Sequence, residues 1–590
     1  MVALMTLVFS LVVGRTFQLQ TTDVSAAVAA AADRITQTHP LPATRGTITD
    51  RNGEVLAYSD PTVAVVCDPK LIRTNGKLDD PMTDKDVAFA QDAPARTAAL
   101  LAEHLGGTAE DYLPALTKEG EVRYSLLARG VSPAAYARLD TALAEAKLIG
   151  IAKESAPTRR YPNGTLASNI LGHIQYAPDD RGNSYAIKGA GGLELTLDQT
   201  LTGVPGKESF DTSPNGRIPL GTNLIVPAVD GQDYQLTIDA GLQLQVEQLL
   251  ADRVQAAQAP WGTAVVMNLA TGEVLSLANY PSFDSNSPGT ANPADLNNRA
   301  VTDPFTPGSV QKLLTYAAVL NEGITKPMDV LSVPGKIKSG SDTIYDAWSH
   351  GTIDLYAQGI IARSSNIGMI LLARQLETAK LHDYYTSFGL GATTGIGLPG
   401  ESAGEIGGPD MPGYARDGMA FGGSAMLVTT VQEAAAVASV VNGGVYRPPT
   451  IIKSTTLPDG SVEPYPAAEP RRVVSEQTSA QVASSMEGMA VNSGTNIFKV
   501  PGYRVGTKTG TAKLYKASCH CFSGYTTSTI GIAPVEDPQL LVYVVIQDPQ
   551  VGASGQEVAG PAWKDIMTVA LGRYAIPAST TKAPALPVRP

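Results

Sequence analysis

The sequence is poor in the residues that most readily announce a structure or a chemistry. Three cysteines in 590 residues are too few for a disulfide framework. Six histidines form no HExxH or other metal-ligand spacing. A basic surplus is also missing. The 44 lysines and arginines stand against 56 acidic residues, a formal net charge of −12. A chain that lives on phosphate contacts carries the opposite balance, which argues against a nucleic-acid partner. Long apolar runs are scarce. The first, Met1 to Val13, is uncharged and mostly apolar but reaches Arg15 well short of the ~20 residues of a spanning helix. No internal repeat is visible.

What is present is apolar enough to fold. Hydrophobic residues make up 43% and charged residues 17%, which excludes wholesale disorder. The length suggests about four domain-sized units or two large ones. The apolar start reads in three ways. A signal peptide has the right core length and small residues at Ser25-Ala26-Ala27, but it lacks a basic leader. A buried core helix would rarely stay charge-free over residues 1–14. The expectation is an anchor helix over residues 1–22 whose upstream part is missing, with an apolar, basic-flanked extension upstream of Met1. The rest of the chain is then extracytoplasmic.

Patterning sketches an α+β chain. Asn52-Gly53 between two apolar stretches predicts a hairpin turn. Residues 86–155 read as helices, and residues 156–235, rich in Gly, Pro, Asn and Asp, as short strands and turns. Asp239 is the expected N-cap of a helix over Leu242 to Val254. Strands are expected at 263–268, 273–279, 526–533 and 540–546. Helices are expected at 309–322, 354–377, 430–442 and 561–572. Strands at both ends with helices between predict one antiparallel sheet closed by the two ends of a domain. The Ala-, Pro- and Thr-rich tail 576–590 reads as disordered.

Three short motifs carry the chemistry. In Ser309-Val310-Gln311-Lys312, serine and lysine share a helix face, so a neutral amine can take the hydroxyl proton and make a nucleophile. Its helix N-terminus supplies backbone N–H groups for a developing oxyanion. Ser364-Ser365-Asn366 offers a hydroxyl to relay a proton and an amide to hold a carbonyl. Lys508-Thr509-Gly510-Thr511 reads as a strand whose glycine lets a substrate backbone approach closely and whose lysine and threonines suit a carboxylate. Each alone is weak: a solvated helix face, a loop, a turn. In this order within one domain-sized block they match the SxxK, SDN and KTG set of penicillin-binding proteins and β-lactamases.

Over nearly its whole length the chain resembles the class B penicillin-binding proteins. Arg45-Gly46-Thr47-Ile48-Thr49-Asp50-Arg51-Asn52-Gly53, Arg160-Tyr161-Pro162 and Gly191-Gly192-Leu193-Glu194 resemble the family's RGxIxDRNG, RxYP and GLE motifs. Thr271-Gly272-Glu273, Asn298-Arg299-Ala300, Pro307-Gly308-Ser309 and Asn442-Gly443-Gly444 continue the likeness. Ser-Ser-Asn in place of Ser-Asp-Asn resembles the division-specific FtsI type. Thr306 departs from the glutamate common before Pro-Gly-Ser.

The resemblance implies a fold and a site. It implies an anchor (1–22), a mixed α/β pedestal (23–235), a serine β-lactamase-like transpeptidase domain (236–575) with an antiparallel sheet and helices, and a tail (576–590). Ser309 would be the acylated nucleophile and Lys312 its base. Ser364 and Asn366 would assist proton transfer and bind the stem peptide. Lys508, Thr509, Gly510 and Thr511 would bind the donor's terminal carboxylate, with the N–H groups of Ser309 and Thr511 as oxyanion hole. The implied activity is cross-linking of peptidoglycan stem peptides at the septum, with β-lactams acylating the same serine and with no metal or cofactor needed. Implied partners are a SEDS-family glycan polymerase and other divisome membrane proteins. An elongation-type transpeptidase, a lactamase or carboxypeptidase, and a catalytically weak scaffold or sensor are the rival readings. Arg45, Asp50 and Glu194 are expected to knit the pedestal rather than do chemistry. Cys519-His520-Cys521 offers too few ligands for a metal. Outside the cell a Cys519–Cys521 bond is the expectation, leaving Cys67 as an unpaired, buried thiol.

Overall fold

A computed structural model describes residues 2–21, 36–77, 81–178, 185–213, 216–217, 223–423, 426–516 and 519–590. The small residues at 25–27 lie outside the described residues. Val2–Thr21 is helical. Among the described residues no helix is long and apolar enough to cross a membrane. The chain forms two compact units. The first comprises residues 1–46, 59–158 and 200–232, and the second residues 47–58, 159–199 and 233–590.

In the first unit, Val63–Cys67 is the centre of a three-stranded antiparallel sheet, flanked by Ser125–Val131 and Ile151–Ser155. Helices Asp84–Leu105 and Pro133–Glu145 supply Leu101, Leu139 and Leu143 to a core that includes Val65 and Cys67. Thr83 and Asp86 close a capping box on the longer helix. Cys67 is a free, buried thiol, and burial pushes it up to about 12. Arg45 donates to Thr202 Oγ1 at 2.7 Å, a contact within this unit.

The second unit is built on a five-stranded antiparallel sheet. Its elements in chain order are α1 (Ala240–Ala256), β1 (Trp261–Asn268), β2 (Val274–Tyr280), α2 (Lys312–Asn321), α3 (Ala357–Arg363), α4 (Asn366–Ala373), α5 (Thr430–Ser439), α6 (Glu476–Asn492), β3 (Gly506–Lys516), β4 (Cys521–Ala533), β5 (Leu540–Gln547) and α7 (Gly560–Arg573). The strand order is β2-β1-β5-β4-β3, so the last strand of the chain pairs with the first, as both-ends closure predicts. β1 and β5 are apolar on both faces because helices cover both. On one face α1 and α7 bury Leu242, Val246, Trp563 and Ile566 against Val266, Val542 and Val544. Asp239 caps α1 through Leu242 N and pairs with Arg573 of α7.

The motif segments of residues 47–58 and 159–199 are structural here. Asp50 accepts from Asn52 N, Glu54 N and Ala240 N, tying the hairpin at Gly53 to the start of α1. Glu194 accepts from Arg159 Nε at 2.6 Å, with both side chains 0% exposed. Breaking such a pair strands the other charge in low dielectric. Glu194→Ala is expected to cost about 3–5 kcal/mol, read by chemical denaturation. A loss below about 1 kcal/mol would mean that the arginine is solvated elsewhere.

Three sequence expectations change. The span 86–155, read as helices, also carries the strands Ser125–Val131 and Ile151–Ser155, which pair with Val63–Cys67 and so help to bury it; helical spacing alone did not distinguish them. The helix expected over 354–377 is broken: α3 ends at Ser364, which is left-handed (φ 56°), and Ser365 caps α4 through Gly368 N. The apolar periodicity runs through the break, so it gave no warning. The tail 576–590 is not loose. Ser579 Oγ accepts from Arg504 N, Leu586 O from Asn492 Nδ2, Pro587 O from Gln358 Nε2 and Val588 O from Tyr356 N. Proline-rich composition forgoes helix and sheet, but these oxygens still find fixed donors at α3 and its N-cap, on α6 and in the turn before β3.

Behind α2 lies a buried polar group with an acid–base consequence. Glu433 on α5 is 0% exposed, and among the described residues neither carboxylate oxygen has a hydrogen-bond partner. Burial pushes it up from 4.5 to about 8. The folded state therefore holds a proton that the unfolded chain has lost. Stability falls between those values as pH rises, by up to about 1.4 kcal/mol per pH unit. Glu433→Gln removes the slope. Its melting temperature relative to the parent should rise between pH ~5 and ~8, and a constant difference would refute a buried neutral acid.

Candidate active site

The three motifs converge on one cavity of about 570 Å³ in the second unit, which Ser309, Ser364, Asn366, Thr509 and Thr511 help to line. Ser309 lies in the 3-10 turn Gly308–Val310 that leads into α2. Gly308 has φ 64°, and its N–H donates to Gly422 O. A Cβ on Gly422 would meet Gly308 O at 1.9 Å, so that position is closed to side chains. A Cβ on Gly510 would meet Pro307 O at 2.8 Å and Ser528 Oγ at 2.4 Å. That glycine lets β3 lie directly against the nucleophile turn, whereas the sequence reading kept the space for a substrate backbone.

The amines define the electrostatics. Lys312 and Lys508 are both 0% exposed. Lys312 Nζ donates to Ser364 O at 2.6 Å, to Asn366 Oδ1 at 2.7 Å and to Ser364 Oγ at 3.2 Å. Lys508 Nζ reaches the same hydroxyl at 2.9 Å. Burial drives Lys312 well below the ordinary lysine range. The charge of Lys508 lowers it further, and the carboxylate of Asp346 opposes both. Burial alone brings Lys508 down to about 7. Neither amine sits on a solvated helix face, which disposes of the bland reading of the first motif. The left-handed turn at Ser364 is what aims its carbonyl and hydroxyl together at Lys312.

Ser309 Oγ has no hydrogen-bond partner among the described residues; Lys312 is held by the second motif instead. Thr511 Oγ1 accepts from Gly555 N at 3.0 Å, which leaves its O–H proton to donate into the cavity. The arrangement suits acyl transfer: an available hydroxyl at the mouth of a helix, a depressed amine, a shared hydroxyl relay, and a small-residue strand for an extended ligand. Sequence reading missed Asp346, which is buried behind the second motif. Beside the cavity, Phe522 helps to line it from β4, and Cys519 and Cys521 are disulfide-bonded at the β3–β4 turn.

Comparison with known proteins agrees with this geometry. Residues 262–568 match the penicillin binding protein transpeptidase domain, and residues 40–236 the penicillin-binding protein dimerisation domain. The penicillin-binding protein PbpB of Mycolicibacterium smegmatis is 33% identical, covering 97% of this chain and 89% of its own. The peptidoglycan D,D-transpeptidase FtsI of Escherichia coli is 31% identical over 89% of this chain and 82% of its own. Among solved structures, a peptidoglycan synthetase of Bifidobacterium adolescentis superposes with TM-score 0.74 at 30% identity, covering 94% of this chain and all of that one. Penicillin binding protein 3 of Mycobacterium tuberculosis in complex with aztreonam superposes with TM-score 0.69 at 27% identity, covering 94% and 100%. With a two-domain match over most of its length and the three motifs gathered at one cavity, the chain belongs to the class B penicillin-binding proteins.

Proposed function

We propose that the chain is a peptidoglycan D,D-transpeptidase that works through a serine acyl-enzyme, and that it is a target of β-lactams. The observation that carries this is the convergence of Lys312 and Lys508 on Ser364 Oγ inside the cavity that opens on Ser309. Ser309 Oγ attacks the penultimate D-alanine carbonyl of a stem peptide, and its proton passes to neutral Lys312. The tetrahedral oxygen is held by the N–H groups of Ser309 and Thr511. The carbon–nitrogen bond breaks, and terminal D-alanine leaves with a proton relayed through Ser364. An amine of a second stem then attacks the ester and frees Ser309. Asn366 steadies Lys312 and the donor's backbone. Lys508, Thr509 and Thr511 take the donor's terminal carboxylate, and Gly510 leaves room for the chain.

The finer reading is septal. The Ser-Ser-Asn spelling of the second motif and relatives named FtsI and PbpB support it. On this reading residues 23–235 form a pedestal domain and residues 236–575 a transpeptidase domain. Residues 1–22 belong to a single-pass membrane anchor with the catalytic domain outside the cell, and the partners are a SEDS-family polymerase and divisome membrane proteins. The decisive test supplies a pentapeptide donor and an amine acceptor. The expected result is D-alanine release with an acceptor-dependent cross-linked product and a slowly hydrolysed penicillin adduct. Hydrolysis alone would mean a carboxypeptidase or lactamase, and no adduct a scaffold. Depletion giving filaments supports septation; spheres or bulges would assign elongation.

A further inference from the structure

The Cys519–Cys521 bond belongs to none of the three motifs and does little for the stability of the fold. A disulfide stabilises mainly by closing a loop of unfolded chain, and the effect grows with the length of that loop. This one joins residues two positions apart. Both cysteines, and His520 between them, are exposed. His520 is left-handed at φ 50°, a conformation that a residue with a side chain adopts at a cost. An exposed bond across a strained residue is the kind that thiol–disulfide exchange reaches most readily. The third cysteine takes no part. Cys67 is buried in the core of the first unit, and burial pushes its thiol up to about 12.

The position of the pair gives such an exchange a consequence. β4 begins at Cys521, and the next residue, Phe522, helps to line the cavity that opens on Ser309 while 56% exposed. An aromatic ring that exposed depends on its backbone for its place. In the β3–β4 ladder Phe522 stands opposite Tyr515, and Cys521 opposite Lys516. The register shifts between Lys513 and Tyr515. That irregularity sets the outer end of the hairpin apart from the regular rungs, in which Lys508 faces Ile530 and Thr511 faces Thr527. The bond thus sits at the end of the ladder that carries the aromatic wall, beyond the irregularity from the third motif.

We propose that Cys519 and Cys521 form a redox modification site: the bonded pair fixes Phe522 at the wall of the active-site cavity, and exchange with a dithiol protein opens the bond and loosens that wall. A thiolate of the dithiol protein attacks the sulfur of one cysteine and forms a mixed disulfide. The sulfur of the other cysteine leaves as a thiolate and takes a proton. The second thiol of the dithiol protein then attacks the mixed disulfide and releases the first cysteine. The chain gains two thiols, and the dithiol protein carries the new disulfide. The same steps in reverse close the bond. Opening it acts on the binding of a ligand rather than on its chemistry, because Lys508 and Thr511 lie on the regular rungs. The inference rests on the reading of Ser309 as the acylated residue, which Ser309→Ala tests separately.

The measurement is acylation of the full chain by a fluorescent penicillin over a range of penicillin concentrations, before and after treatment with dithiothreitol. Alkylation and intact mass count the thiols. Reduction should expose two new thiols and raise the half-saturating penicillin concentration about 3-fold to 10-fold, the worth of ordering one side chain on binding. The limiting rate should stay at the parental value, and reoxidation should restore half-saturation. Cys519→Ser with Cys521→Ser should match the reduced chain with or without dithiothreitol. Phe522→Ala should give one value in both redox states. Equal half-saturation in the bonded and reduced parent overturns the proposal, whether or not the labelled fraction falls. So does a bond that stays closed in dithiothreitol, and so does a Phe522→Ala chain that still responds to reduction. If the double variant does not fold, the two redox states of the parent decide. A parent that takes up no penicillin in either state overturns the reading of Ser309, and this inference with it.

Discussion

Ser309→Ala is expected to abolish covalent labelling by penicillin and to leave the fold intact. The substitution removes one oxygen from a half-buried side chain whose hydroxyl has no hydrogen-bond partner among the described residues. The turn that carries it is held by backbone: Gly308 N to Gly422 O, and Gln311 N to Gly308 O. None of those bonds uses the serine side chain, so the stability change should stay within about 0.5 kcal/mol, the usual range for such sites. Acyl-enzyme formation has no substitute nucleophile in this geometry, because Ser364 Oγ already accepts from two amines. Intact-mass measurement after incubation with a penicillin reads the result. Labelling that survives would place the nucleophile elsewhere.

The second large effect concerns the base. Lys312→Ala should slow acylation on the order of 10²–10⁴-fold, the usual contribution of a general base. The parent's pH dependence follows from the sign of the shift. Burial, then the charge of Lys508, lowers the amine's pKa, so it is available as a base below the pH at which an exposed lysine would be. Acylation then falls as pH drops through that lowered value and the base fills with a proton. The variant should lose this acid limb along with most of its rate. Lys312→Arg should not rescue, because a guanidinium stays protonated. A residual rate that keeps the parental acid limb would assign the base to another group.

The legibility of this protein in its sequence was uneven, for physical reasons. The motifs could be read because their chemistry needs fixed residue types within one turn or one strand end. The sheet could be read because β1, β2 and β5 are largely apolar runs bounded by turns such as Ala270-Thr271-Gly272. The left-handed break at Ser364 could not. Ile360, Ile361, Ile367 and Ile370 are all buried and keep an apolar rhythm across it. Asp346 could not be read either. Its hydrogen bond to Ser365 spans 19 residues that include α3, and an aspartate in a loop looks like any other until its partners are in place. Asp50 and Glu194 were legible as structural, since both sit far in sequence from Ser309. The tail misled because its composition predicts an absence of secondary structure, and a segment without secondary structure can still be bound.

That bound tail sets an order of events during synthesis. Gln358 and its carbonyl partner Pro587 are 229 residues apart in the chain. A Cβ on Gly359 would meet Val588 O at 2.1 Å, so the face of α3 is shaped for a segment that leaves the ribosome long after it. Until that segment arrives, Tyr356 N has no carbonyl from it, and the helix that ends on Ser364 lacks its outer cover. A nascent chain that already contains all three motifs thus still lacks the segment that covers its active-site scaffold. Chains stalled or clipped just before residue 586 should therefore be the ones that label with penicillin most sluggishly for their degree of folding.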